Sequence, residues 1–221
     1  MLMNHILTRL KDELLKALGD NLICLLQTGS RVRGEAAEES DYDVFLVLKS
    51  IDSSVIETMQ EVFSDYPNLS VYTVSEHEFK ALPRAQLLQL LYSEKLWGDI
   101  EYELPAMEEV ENYVSLMRRE WLDRVRHYLI IPHPQETLTK NVHLAMKYAN
   151  LYLSYTVFLE TGKLPRTRKQ ITAYFNQRKR HNLGVQLLKI LDDWDSCKND
   201  VAREPKSYLF LLEKFFRECR P

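Results

Sequence analysis

The chain has 221 residues, of which 45% are hydrophobic and 28% charged, with a formal net charge of −3. That length suits one large domain or two small ones, and the mix excludes disorder, collagen and coiled coil as the main state. The weakly negative total gives no global field for nucleic acid, so such binding is not expected without a local patch, and six glycines point to a helix-rich chain with few tight turns.

Residues Asn4 to Leu18 read as an amphipathic helix, with Ile6, Leu7, Leu10, Leu14, Leu15 and Leu18 at three-and-four spacing and Gly19 as its C-terminal cap. Charges lie inside that apolar pattern, so the N-terminus does not read as a signal peptide. Asn21–Gln27 is a short strand. Its apolar run Leu22–Leu26 is five residues, far short of the roughly 20 needed to span a bilayer, and no membrane partner is expected. Cys24 within it, like Cys197 and Cys219, has no metal-ligand spacing, which suits reduced thiols and a cytoplasmic protein. Thr28–Ser40 is polar and reads as a loop with one helical turn. Asp41–Leu48 reads as a second strand, apolar on both faces after Asp43 and hence central in a sheet. A helix over Ser54–Ser64, a third strand over Leu69–Val74 and a short helix capped by Ser75 with Glu78 follow. Pro83 opens a leucine-rich helix ending near Ser93, and Lys95–Leu104 holds a last short strand.

After Pro105 no strand is expected. Helices are read over Glu108–Ile131, Glu136–Thr161, Thr167–Arg178, Leu183–Trp194 and Val201–Arg220, with a break at Asp195–Asp200. The expected architecture is α+β: a mixed sheet with flanking helices over residues 1–104, then an all-α bundle over 105–221.

The chemically informative stretch is TGSRVRGEAAEESDYDVFLV, Thr28 to Val47. A strand ends in Gly29-Ser30, and Gly34 follows four residues after Ser30. Backbone N–H groups and the Ser30 hydroxyl can donate to phosphate oxygens there, and Arg31 and Arg33 add positive charge beside the loop. Asp41 and Asp43, after Ser40, then open an apolar strand. Residues two apart on a strand share a face. Two carboxylates on one face repel and desolvate at a cost of several kcal/mol unless something positive lies between them. A hard cation such as Mg²⁺, which takes one or two carboxylates plus substrate phosphates, answers that cost.

Gly29-Ser30, Arg33-Gly34 and Ser40-Asp41-Tyr42-Asp43 together resemble the signature of the nucleotidyltransferase superfamily that includes DNA polymerase beta. The layout is similar to small stand-alone members and to aminoglycoside nucleotidyltransferases, whose second domain is helical. The resemblance implies metal binding and catalysis by Asp41 and Asp43, and nucleotide binding by Gly29 and Ser30, with Arg33 and Ser40 beside them. It also implies a nucleoside triphosphate, usually ATP, with Mg²⁺, and an acceptor bearing a hydroxyl group. The family normally adds a third carboxylate on a later strand, as metal ligand or general base. The matching strand, Leu69–Val74, has none; Ser70 and Tyr72 share one of its faces, and Glu76, Glu136 and Glu160 are the candidate substitutes.

The helical half resembles HEPN-type bundles, some of which are ribonucleases with Arg, four to six residues, then His. Arg124…His127 and Arg178-Lys179-Arg180-His181 are too short for that spacing, and the bundle is expected to bind the acceptor or act as a scaffold. Arg166, Arg168, Lys169, Arg178, Lys179 and Arg180 read as a solvated face, or as a contact to the triphosphate or to an RNA. Tyr148, Tyr152, Tyr155 and Phe158 read as core. Two rival readings accompany transfer of a nucleoside monophosphate: a nucleotide-binding interaction protein with a degenerate site, and an antitoxin-like protein adenylyltransferase.

Overall fold

The computed structural model of the protein describes residues 2–36 and 40–219, with side chains from residue 5 onward. Part of the loop expected over Thr28–Ser40, and the last residue of the helix expected to reach Arg220, lie outside the described residues. The chain forms two compact units, Met1–Pro105 and Ala106–Pro221.

The first unit runs α1 (Leu2–Leu18), β1 (Leu22–Thr28), α2 (Gly29–Arg33), β2 (Tyr42–Leu48), α3 (Ser53–Phe63), β3 (Leu69–Ser75), α4 (Glu76–Ala81), α5 (Arg84–Leu87) and β4 (Glu94–Gly98). The four strands make one mixed sheet in the order β3-β2-β1-β4. β1 pairs antiparallel with β2 and with β4, and β2 pairs parallel with β3. β2 is therefore interior, which is why Val44 to Leu48 are apolar and buried without alternation.

The two faces of the sheet are unequal. On one, Val44, Leu46 and Leu48 pack with Leu7, Leu10, Leu14 and Leu18 of α1, with the partly buried Val55, Met59 and Val62 of α3 completing the layer. α1 follows the three-and-four spacing that the buried leucines demand. α3 starts where Asp52 accepts a hydrogen bond from the Val55 N–H at 3.0 Å. On the opposite face Phe45, Val47 and Val74 meet Phe79 of α4 and Leu87 of α5. This second layer covers only part of the face, because α4 and α5 are six and four residues long.

The second unit is entirely helical among the described residues: α6 (Met107–Ile130), α7 (Gln135–Thr161), α8 (Arg168–Arg178), α9 (Asn182–Asp192), α10 (Trp194–Arg203) and α11 (Pro205–Glu218). α10 corrects the break expected over Asp195–Asp200. The segment is helical despite its polarity, and only Val201 in it is buried. α7 lies at the centre, with Tyr152 and Tyr155 fully buried alongside Phe215 and Phe216 of α11. The Tyr152 hydroxyl donates to the Cys219 carbonyl at 3.0 Å, so this deep polar atom is satisfied. Tyr148 stacks on Trp121 with centroids 4.2 Å apart, and the aromatic stripe of α7 is core packing.

Candidate functional site

β1 ends at Thr28, which pairs with Asp43 of β2 in the antiparallel register. The next residue, Gly29, has φ +79°. A Cβ added to it would stand 1.8 Å from Asp43 Oδ2 and 2.5 Å from its Cγ. The Asp43 carboxylate thus lies against the backbone of the turn, in space that only a glycine leaves open. Ser30 sits in the first turn of α2. Its carbonyl accepts from the Glu35 N–H at 2.9 Å, and Gly34, left-handed at φ +74°, closes the helix.

Arg31 ties this turn to the start of β2. Its Nε donates to the carbonyls of Ser40 at 3.0 Å and Asp41 at 3.3 Å, its Nη2 also donates to the Ser40 carbonyl, and its guanidinium lies 4.2 Å from the centre of the Tyr42 ring. Sequence reading sees Arg31 only as a charge. Its bracing role depends on backbone carbonyls, which leave no trace in side-chain identity. Arg33 faces Glu35, Nε to Oε2, at 3.2 Å, and the Glu35 side chain is only 9% exposed. Ser40 is half-buried, Asp41 is exposed and Asp43 is half-buried. Asp41 precedes β2 and does not open it, which corrects the expected strand start: Tyr42 is the first residue to pair with β3 and β1 offers a partner only from Asp43. Asp43 therefore lies within the paired strand, and Asp41 lies one residue before it.

In the parallel pair, Asp43 is opposite Ser70 and Phe45 is opposite Tyr72. The four side chains share the thinly covered face. The Phe45 and Tyr72 rings stack with centroids 5.3 Å apart at 22°, Phe79 meets Phe45 edge-on at 6.0 Å, and Tyr72 stays 52% exposed. Ser70, also exposed, is the sheet neighbour of Asp43.

The three carboxylates expected as substitutes are each engaged elsewhere. Lys80 lies 2.6 Å from Glu76 and holds its carboxyl below the ordinary range. Lys140 does the same for Glu136 at 2.7 Å. Glu160 accepts from the Tyr174 hydroxyl at 2.7 Å and faces Arg180 at 3.2 Å and Arg178 at 3.8 Å. Three members of the expected basic group therefore meet acidic partners, Arg178 and Arg180 at Glu160 and Arg168 at Asp192.

Arg126 and His133 have six residues between them and do meet the arginine–histidine spacing, a pair that the sequence reading overlooked. The Arg126 Nε and Nη2 both donate to Glu213, at 3.1 and 2.8 Å. His133 packs its ring 5.3 Å from that of His127 and 4.9 Å from that of Tyr128.

Among the described residues, no group of three or more His, Cys, Asp or Glu side chains is placed to hold a metal ion. Asp41 and Asp43, two residues apart at the start of β2, offer two carboxylates. Carboxylate oxygens are the donors that Mg²⁺ prefers, and that ion completes its shell with phosphate and water, so the donor chemistry fits it. No helix among the described residues is long and apolar enough to cross a membrane.

No known protein-family profile matches the chain, and no curated protein matches it. Solved structures do. The crystal structure of spectinomycin adenyltransferase AAD(9) from Enterococcus faecialis with ATP and spectinomycin is similar over 97% of this chain and 99% of that one, at a TM-score of 0.56 and 13% identity. A toxin-antitoxin crystal structure with AMP-PNP aligns with 54% of this chain and 98% of its own, at a TM-score of 0.33 and 17% identity.

Proposed function

From a nucleotidyltransferase-type fold with a helical second part, we propose that the protein transfers a nucleoside monophosphate, from ATP, to a hydroxyl-bearing acceptor. Residues 1–104 form the nucleotide-handling domain and residues 105–221 the helical domain. The observation that carries this reading is the contact between Gly29 and Asp43, where a Cβ would fall 1.8 Å from the carboxylate. A glycine turn built for close backbone approach and an acidic group of the central strand thereby meet at one point, as transfer from a triphosphate requires. The small molecule named with the similar adenyltransferase supports a small-molecule acceptor.

The roles follow from the residues. Gly29 and Ser30 hold phosphate oxygens through backbone N–H groups and the Ser30 hydroxyl, as oriented main-chain donors do. Arg33 and Ser40 flank the same turn, and Arg31 fixes the path of residues 40–42. Asp41 and Asp43 would hold Mg²⁺, which supplies neutralisation of phosphate charge when bound. The acceptor oxygen attacks the α-phosphorus, the bond to the β-phosphate bridging oxygen breaks, pyrophosphate leaves, and the acceptor's proton passes to solvent or base.

Changing Asp41 and Asp43 together to Asn, and titrating Mg·ATP by calorimetry, tests the assignment. The expected result is loss of Mg²⁺-dependent affinity with stability little changed, since two like charges are removed. Undiminished affinity in the folded double variant sinks the metal assignment. Ser70 beside Asp43 favours a second reading, nucleotide binding without transfer. Pyrophosphate release above background with a panel of hydroxyl compounds separates the two.

A further inference from the structure

We propose that the acceptor is a small aromatic molecule whose phenolic hydroxyl is the attacking oxygen, held flat against Tyr72. The inference rests on the transfer reading above and adds the substrate class. Two independent features of one sheet face carry it.

The first is the residue beside Asp43. The parallel register puts Ser70 there, and a serine hydroxyl is no base near neutral pH. The first carboxylate after β3, Glu76, is held by Lys80 in a form that accepts protons less readily than an ordinary glutamate. An aliphatic alcohol depends on a positioned base for about 10²–10⁴ of its rate. A phenol, with a reference pKa of about 10 as in tyrosine, ionises unaided far more than an alcohol and loses much less without that base.

The second is the aromatic ring one step along the same face. Tyr72 lies two residues from Ser70, roughly 6.5–7 Å along the strand, and is 52% exposed. Its ring stacks on Phe45, which is itself buried and meets Phe79 edge-on. A half-bare ring held by that stack, near Asp43 on the same face, suits a second ring laid in offset stack. A flat acceptor placed there can direct its oxygen along the strand toward Asp43 and Gly29. In the reaction the phenolate oxygen bonds to the α-phosphorus as the bond to the β-phosphate oxygen breaks. Pyrophosphate carries off the electron pair, and the phenolic proton has already gone to solvent.

The test uses the full chain with Mg²⁺ and ATP, a series of substituted phenols of graded acidity, and benzyl alcohols of matched shape. Transfer to phenols is expected, with benzyl alcohols at least 100-fold slower. The midpoint of the pH–rate profile is expected to move with the acidity of the phenol. Tyr72→Ala should raise the phenol KM and the phenol Kd, read by equilibrium dialysis, by roughly 2- to 10-fold, with Mg·ATP affinity unchanged and Tyr72→Phe restoring both. Ser70→Asp should raise transfer to benzyl alcohols by about 10²–10⁴-fold. Benzyl alcohols reacting as fast as phenols, a pH profile indifferent to the acceptor, or unaltered phenol binding in Tyr72→Ala each overturns the proposal. Native chain that binds Mg·ATP yet modifies neither series overturns it while sparing the nucleotide site. Native chain without Mg·ATP affinity overturns the transfer reading itself.

Discussion

The sharpest local constraint in the molecule is the one at Gly29. Its left-handed φ costs an L-residue about 1–2 kcal/mol, and a methyl group there would overlap the Asp43 carboxylate, with Cβ 1.8 Å from Oδ2 and 2.7 Å from its Cβ. The strain and the overlap act on the same two residues, so Gly29→Ala should lower stability by at least about 1 kcal/mol and displace Asp43 as well. Ser30→Ala, one residue on, removes a hydroxyl without touching the backbone path. It should leave stability within about 0.5 kcal/mol and weaken Mg·ATP binding by on the order of 0.5–3 kcal/mol. Urea unfolding and calorimetry on both variants check this, because each variant is expected to move the two readouts in different proportion. A Gly29→Ala protein of native stability would mean that the turn yields more easily than its packing implies. The same neighbourhood shows where side-chain identity stops being informative. Arg31 acts through the carbonyls of residues 40 and 41, and any exposed arginine in a polar loop would look the same on paper.

At the scale of elements, α4 decides how much of the site face is covered. It begins at a capping box: the Glu78 N–H donates to Ser75 Oγ at 3.2 Å, and the Ser75 N–H donates to Glu78 at 2.7 Å. Ser75 is also the last residue of β3, so strand and helix share one junction. Ser75→Ala should cost about 1 kcal/mol, loosen Phe79 from Phe45, and so raise the mobility of the Tyr72 ring, readable as faster hydrogen exchange over α4. Hydrogen bonds from the Ser75 backbone N–H first, and from its hydroxyl second, keep the Glu78 carboxyl below its ordinary range. Its contribution is present above the ordinary carboxylate range and is lost as pH falls through the depressed value, and Ser75→Ala, which keeps the N–H and removes the hydroxyl, should reduce that dependence only in part. The capping box was legible because serine and glutamate three apart are its own mechanism. β1 and β2 were legible because five apolar residues in a row leave little else. The parallel register that seats Ser70 beside Asp43 was not legible: alternation in β3 tells which face a side chain takes and says nothing of its neighbour. α10 was missed because a helix burying only Val201 shows no apolar stripe to find, and the start of β2 slipped by one because pairing, not composition, ends a strand.

For the whole molecule, the decisive fact is that each unit has a core of its own, so a perturbation of one is expected to read out separately from the other. His143 of α7 provides the handle. It stacks on Trp194 of α10 with ring centroids 4.1 Å apart at 10°. Burial, reinforced by Lys147 and opposed by Asp195, pushes its pKa down to about 4 from 6.5. The unfolded chain therefore takes up a proton at a pH where the folded chain does not, and stability rises with pH across that interval. As pH falls from about 6.5 toward about 4, the helical unit should weaken steadily, with the loss levelling off once the folded imidazole is protonated too. His181, held down mainly by burial and next by Arg180, adds the same sign. The experiment is urea unfolding at pH 7.5 and pH 5 followed by tryptophan emission in a Trp97→Phe background, since Trp97 lies in β4 whereas Trp121 and Trp194 belong to the helical unit. His143→Phe keeps a flat ring against Trp194 and cannot titrate, so its transition should move less between the two pH values than that of the native chain, with His181 accounting for part of what remains. If the variant and the native chain lose stability equally, the proton responsible binds elsewhere, and the stacked His143–Trp194 pair is only packing.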